Sequence, residues 1–236
     1  MEYLLKPFCF SILFTIGMLT GNAQVKQVDN SSNRANPAAT QSYIGFGAVI
    51  NSNVEYPIEG SPYFEDEYVK GNIYHSLGVN KNVQMRYNIY YDRIEYKGKE
   101  TEMAIGPDKR IRKVELGEQT LVLNLYEVKG KTALAYFIRQ DSGKMTILTK
   151  MTVMLKGPQF GKPIEGDVPA KYSRMPDTHY FKIGDGPLIK IQSIKKLIEE
   201  LPDHREEMEV FARKEKTSTN KPKELIRFSQ YYNSLQ

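Results

Sequence analysis

The chain has 236 residues with 33 basic and 28 acidic side chains, a formal charge of +5, sixteen tyrosines, no tryptophan and one cysteine. So mild a positive balance gives little reason to expect nucleic-acid binding. A lone thiol excludes an intrachain disulfide, so a compact fold has to be held by its apolar core.

The chain opens MEYLLKPFCFSILFTIGMLTGNAQ, with Lys6 ahead of an apolar run from Phe8 to Leu19 and small residues at Gly21 and Ala23. This is the pattern of a secretory signal peptide over residues 1–23, cut between Ala23 and Gln24. The run is shorter than the roughly 20 residues a membrane-spanning helix needs, and no later run is long enough to cross a membrane. Cys9 lies inside it, behind Lys6, Pro7 and Phe8 instead of the leucine and small residues that precede a lipidated cysteine. The mature chain would then offer no cysteine nucleophile and no cysteine metal ligand. Residues 24–41, QVKQVDNSSNRANPAATQ, are polar, small and aperiodic, the composition of a disordered leader. Residues 42–62 carry apolar side chains interrupted by Gly and Pro, so one short strand or irregular packing is expected there.

An antiparallel β domain is expected over 42–191. EYVKGNIYH, a turn-rich SLGVNKN and VQMRYNIYY read as a hairpin. QTLVLNLYEV, KGK, TALAYFIR, QDSGK and MTILTKMTVML read as three strands joined by short turns, which forces antiparallel pairing. TALAYFI is apolar on both faces and suits a central strand. In the strand after it, Met145, Ile147, Thr149, Met151, Val153 and Leu155 share a dry face. Thr146, Lys150, Thr152 and Lys156 share a wet one, with Leu148 and Met154 as exceptions. The Gly- and Pro-rich stretch 157–187 reads as a long connection with one strand at HYFKI, which GDGP turns back into LIKIQ.

Residues 192–236 change period. Ile194, Leu197, Ile198 and Leu201 fall on one helical face, and Pro202 interrupts it. Asp203 and Glu206 form a D-x-x-E start for a second helix, with Met208, Phe211 and Ala212 on its apolar side. Leu225, Phe228, Tyr232 and Leu235 stripe a third. The nine basic and eight acidic residues between Lys195 and Arg227 are closely mixed, as on a solvated helix surface and unlike a polyanion site. The expected fold class is therefore α+β: a mainly antiparallel, curved, half-barrel-like sheet. C-terminal amphipathic helices pack on it and cover edges that would otherwise invite further pairing.

Motifs that carry chemistry are scarce. His75, His179 and His204 are isolated and lack metal-ligand spacing, and no G-x-S-x-G elbow occurs. Glu65-Asp66-Glu67 is the densest acidic cluster. A facing carboxylate pair does acid–base work, but consecutive strand residues point to opposite faces, and a charged strand edge is the competing reading. Gly45/Gly47 and Gly184/Gly186 lack the third glycine and the strand–helix context of a dinucleotide loop. Neither a cofactor nor a metal is expected.

Residues 85–96, MRYNIYYDRIEY, hold four tyrosines. Along a strand, Met85, Tyr87, Ile89 and Tyr91 share one side and Arg86, Asn88, Tyr90 and Asp92 the other. Two readings stand. In one, the first set builds the core and the second meets water, because tyrosine suits a half-wet sheet. In the other, Arg86, Asn88 and Tyr90 form the polar floor of a ligand site; these three are the candidate binding residues. Ile94 and Tyr96 have the opposite parity, so a bulge or turn is expected near Asp92-Arg93.

GSPYF (60–64), YVKG (68–71), RYNIYYDRIEY (86–96) and the terminal YYNSL (231–235) resemble an uncharacterised group of exported, β-rich proteins of Bacteroidota-type bacteria. The resemblance spans about Gly60 to Leu235 and implies envelope export in a Gram-negative host, to the periplasm or the cell surface; it carries no functional residues. The expected function is a non-enzymatic binding protein or cell-envelope accessory factor. Its partner would be an envelope component or a hydrophobic small molecule, with no role for nucleic acid and with peripheral contact to an anionic membrane as an option. Alternatives are a hydrolase using dispersed acidic residues such as Asp66 or Glu67, or a helix-mediated protein-docking module.

Overall fold

The computed structural model describes residues 48–49, 58–159 and 168–236. The signal segment, its cut between Ala23 and Gln24, and the leader 24–41 lie outside the described residues. The strands are β1 (Ala48–Val49), β2 (Val69–His75), β3 (Gly78–Asn88), β4 (Arg93–Lys97), β5 (Glu102–Ile105), β6 (Ile111–Leu116), β7 (Gln119–Val128), β8 (Lys131–Arg139), β9 (Met145–Lys150), β10 (Val153–Lys156), β11 (Lys171–Arg174), β12 (Thr178–Ile183) and β13 (Ile189–Lys190). Three helices follow: α1 (Ile194–Glu199), α2 (Arg205–Lys214) and α3 (Pro222–Ser234). Eleven strands form one sheet in the order β1-β5-β4-β3-β2-β6-β7-β8-β9-β12-β13, while β10 and β11 form a separate ribbon. Every strand pair is antiparallel, and the large sheet curls into a half-barrel with the helices near its C-terminal end, as the strand grammar and helical stripes anticipate.

The turn between β2 and β3 is only Ser76-Leu77. The expected SLGVNKN loop is instead mostly strand. Asn82 takes the left-handed conformation at φ +56°, and the register with β2 shifts between Gly71 and Ile73. A bulge absorbs the surplus residue, and asparagine tolerates that conformation better than most side chains. Gly71 is needed here for space, because a Cβ on it would stand 2.0 Å from the Glu115 carbonyl oxygen on β6.

MRYNIYYDRIEY is a hairpin and not one strand. β3 ends at Asn88, residues 89–92 turn, and β4 begins at Arg93, with Asp92 left-handed at φ +50°. The parity break is this turn. Met85 pairs with Tyr96 and Tyr87 with Ile94, so all four point inward and are buried. Ile89 is buried in the turn, whereas Tyr91, expected in the core, is 57% exposed. The half-barrel interior is filled by these side chains with Ile73, Met103, Val114, Leu121, Tyr136 and Ile138. Tyr136 and Ile138 of β8 point inward, while Ala135 and Phe137 pack on the opposite face against Leu148 and Tyr180. β8 is thus the two-sided interior strand that TALAYFI predicts.

The long strand expected at 145–155 is broken at Met151-Thr152. β9 pairs with β8 only at Ile138↔Thr149 and Arg139↔Leu148, and β10 leaves the sheet to pair with β11, a strand the sequence did not announce. The expected wet face holds at Thr152 and Lys156, which are exposed, and fails at Lys150, which is buried, while Leu155 on the dry side is 37% exposed. HYFKI and LIKIQ form the β12–β13 hairpin as expected.

The helices bury Leu197, Leu201, Met208, Leu225, Phe228 and Tyr232 against Met145, Ile147 and Phe181, each fully buried side chain of this kind contributing about 1.5–3 kcal/mol. α1 starts at Ser193, whose hydroxyl accepts from the Lys196 N–H. Asp203 does not cap α2. His204, at φ +56°, precedes it without a side-chain cap bond. The Asp203 carboxylate accepts instead from the Tyr232 hydroxyl at 2.5 Å and pairs with Lys144 at 3.3 Å.

α3 is stitched to the sheet where β8 and β9 diverge. The Asn233 side chain accepts from the Met145 N–H at 2.7 Å and donates to its carbonyl at 2.9 Å, taking the place of a strand partner. Asp141 accepts from the Ile147 N–H at 2.7 Å and from the Ser229 hydroxyl. Burial pushes the Asp141 carboxyl up to about 6, against the Ile147 hydrogen bond. Among the described residues no helix is long and apolar enough to cross a membrane.

Candidate functional site

Arg86 and Asn88 do lie together, but their polar groups are spent inside the protein. Arg86 is directly opposite Glu95 in the β3–β4 register. The Glu95 carboxylate, 1% exposed, accepts from Arg86 at 3.0 and 3.1 Å, from Asn88 at 3.0 Å and from Arg93 at 2.7 and 2.9 Å. Two guanidinium groups and an amide on one carboxylate meet the condition for tolerating a buried charge.

The segment GSPYF closes over this knot. The Phe64 N–H donates to the Tyr87 carbonyl, and the Ile89 N–H to the Pro62 carbonyl. The Tyr63 hydroxyl accepts from Arg86 at 2.7 Å, and its ring lies 3.8 Å beneath the guanidinium carbon. Burial, and then Glu95, push the Tyr63 hydroxyl up to about 12. The polar groups of Arg86 and Asn88 are therefore turned towards Glu95.

Tyr90 is elsewhere. It packs edge-on against Tyr91 at 4.8 Å and Tyr172 of β11 at 5.3 Å, half-buried at the rim of the core. The candidate trio is thus two residues of an internal ion knot and one ring of a surface aromatic cluster. Glu65, Asp66 and Glu67 are exposed in a bend before β2 and not on a strand edge, and Asp66 accepts from the Ser61 hydroxyl.

A second buried charge was missed. Lys150 reaches Asp92 at 2.7 Å, the Tyr136 carbonyl at 3.1 Å and the Tyr87 hydroxyl at 3.4 Å, while Asp92 accepts from the Tyr136 N–H at 3.3 Å. These side chains occupy the backbone groups of β8 that β9 leaves unpaired. They tie the tip of the β3–β4 hairpin to β8 and so hold the curl. Burial pulls the Lys150 ammonium below the usual lysine range, with Asp92 opposing it. The sequence signal was slight: a lone lysine among apolar neighbours, in ILTKMTV.

His75 sits 2.6 Å from Asn80, and His179 sits 3.0 Å from Thr149, its proton affinity lowered by burial. Among the described residues no group of three or more His, Cys, Asp or Glu is placed to hold a metal ion.

Two concave surfaces among the described residues are open clefts. One of about 680 Å³ lies where the far end of the β7–β8 hairpin meets the β12–β13 turn. Its lining is apolar at Leu123, Leu125, Tyr126, Leu134, Pro187 and Leu188, with Lys109, Lys182, Glu127 and Asp185 among its polar groups. Leu125 and Leu134 face each other across the hairpin, and the Tyr126 ring is fixed edge-on by Phe137 at 5.4 Å and Tyr180 at 6.2 Å. That combination, an apolar lining on rigid strands with a few charges, is the usual composition of a small-molecule site. A polar cleft of about 330 Å³ includes Asn72, Asn82 and Glu115, but Glu115 is already held by Asn72, Tyr74 and Lys113, which keep its carboxyl down at about 2. Comparison of the chain with protein-family models, curated proteins and solved structures finds no match.

Proposed function

We propose that this is an exported, non-enzymatic binding protein of the cell envelope that takes a ligand in the cleft beneath the β7–β8 hairpin. The observation that carries the reading is where apolar surface is left open. The half-barrel interior is filled by Tyr87, Tyr96, Tyr136, Met85 and Met103, so a carrier of the kind that encloses its cargo in a barrel does not fit. Leu125, 55% exposed, lies instead in a concavity walled by strands. The signal-like N-terminus and the resemblance of GSPYF, RYNIYYDRIEY and YYNSL to exported proteins support the envelope setting. The hydrolase alternative gains no support from Asp66 and Glu67, which stand exposed in a bend. The docking alternative loses ground because the apolar stripe of α3 is spent on the protein's own sheet.

The test is native mass spectrometry of the protein recovered from an envelope fraction of its host. A discrete small-molecule adduct on the wild type, absent from Leu125→Asp, supports the reading. Recovery only in the cytoplasm, or a bare wild-type mass with no adduct restored by envelope extract, contradicts it.

A further inference from the structure

Resting on the reading of that cleft as a ligand site, we infer that its ligand is a free single-chain acidic amphiphile, with one anionic head group and an apolar tail. Lys182 carries the inference. It stands on β12, half-buried, in register with Thr146 of β9. It lines the cleft, yet among the described residues it makes no hydrogen bond or ion pair. Partly desolvated ammonium groups draw counter-charges, and the attraction strengthens as water is excluded. Among the described residues the two buried carboxylate or ammonium groups both have partners: Glu95 has Arg86 and Arg93, and Lys150 has Asp92. Lys109 lines the same cleft as a second cation.

The apolar part of the cleft's lining supplies the seat for a tail. Leu125 and Leu134 form a cross-strand pair with the alternation of the inward-facing Leu121 and Tyr136, whereas Tyr126 and Leu188 join the outer-face cluster of Phe137 and Tyr180, so the cleft draws its lining from both faces of the hairpin's free end. The cleft's volume of about 680 Å³ lies in the range of roughly 300–1,000 Å³ typical of small-molecule sites. Glu127 and Asp185, both exposed, also line it. They repel a polyanion but leave a single head group at Lys182 favourable, so nucleic acid and multiply phosphorylated glycolipid are disfavoured. A bilayer surface fits less well than a free acid, because the apolar residues line a concavity and do not protrude.

Titration calorimetry of the full-length protein tests this with dodecanoate, with dodecanol as the headless control and with vesicles of phosphatidylglycerol as the membrane control. Dodecanoate is expected to bind at least tenfold more tightly than dodecanol. Lys182→Gln should bring dodecanoate down to the alcohol's level, Lys182→Arg should restore it, and Leu125→Asp should abolish both. Circular dichroism melts of each variant confirm that the fold is kept. Equal affinity for acid and alcohol, or dodecanoate binding indifferent to Lys182→Gln, overturns the acidic class while leaving the cleft as a site. Binding to vesicles without binding to monomeric acid overturns the free-ligand assignment. Absence of binding to any probe, together with a bare native mass, removes the class and the site together.

Discussion

Replacing Glu95 tests whether Arg86 and Asn88 belong to the architecture or to a binding floor. The Glu95 carboxylate is 1% exposed and accepts five hydrogen bonds, four from the two arginines. Glu95→Ala leaves two guanidinium groups, 18% and 26% exposed, facing each other with no counter-charge. Breaking one partner of a buried pair in this way costs about 3–5 kcal/mol, a large share of the roughly 5–15 kcal/mol that holds a domain folded. Glu95→Gln keeps the volume but turns one acceptor into a donor aimed at an arginine, and should cost about 2–3 kcal/mol.

Arg86→Met alone should cost less, because Arg93 still neutralises Glu95. The pair Arg86→Met with Glu95→Met should lose less than the sum of the single losses, since only Arg93, 26% exposed, is then left without its counter-charge. Urea unfolding, read as a shift in midpoint at unchanged slope, measures each term. A Glu95→Gln loss below about 1 kcal/mol, or strict additivity of the double variant, would refute the argument that this carboxylate organises the β3–β4 face.

Asn233→Ala removes both side-chain bonds to the Met145 backbone and should destabilise by about 1–3 kcal/mol, measured by urea unfolding; an unchanged midpoint would mean the terminal helix is not stitched there. Asp141 should set a pH dependence. Its folded carboxyl is raised to about 6 by burial, so its favourable contribution is complete below the unfolded value near 3.8 and is lost as pH rises through about 6. The stability of Asp141→Asn relative to wild type should therefore improve between pH 5 and about 7; a pH-independent difference in thermal melts would contradict this. Gly71→Ala places a methyl 2.0 Å from the Glu115 carbonyl and should cost about 1–3 kcal/mol by forcing β2 and β6 apart, read from the same unfolding curves.

The hairpins were legible because their turns are short and their strands alternate, and α3 because four apolar residues recur at helical spacing. The β3–β4 turn was half legible: the parity of Ile94 and Tyr96 located it, and placing it at residues 89–92 pairs Arg86 with Glu95 directly. The break in β9 was not legible, because the groups that replace its ladder bonds, Asp92 and Lys150, are 58 residues apart in the chain. Asp203 was misread for a related reason. Its local pattern is that of a helix cap, and a distant tyrosine, Tyr232, outbids it. The cleft was hidden because Leu125, Leu134 and Leu188 read as ordinary strand positions. Only the three-dimensional meeting of two hairpins makes them a surface.

The absence of tryptophan from the chain makes the most direct test of an external ligand seat simple. Leu125→Trp puts one fluorophore in the cleft, and Leu77→Trp puts one at the β2–β3 tip, where the native residue is 76% exposed. Titration with dodecanoate should give a saturable blue shift at position 125 and none at position 77. Equal responses at both positions, or none at either, would contradict the placement of the ligand at the free end of the β7–β8 hairpin.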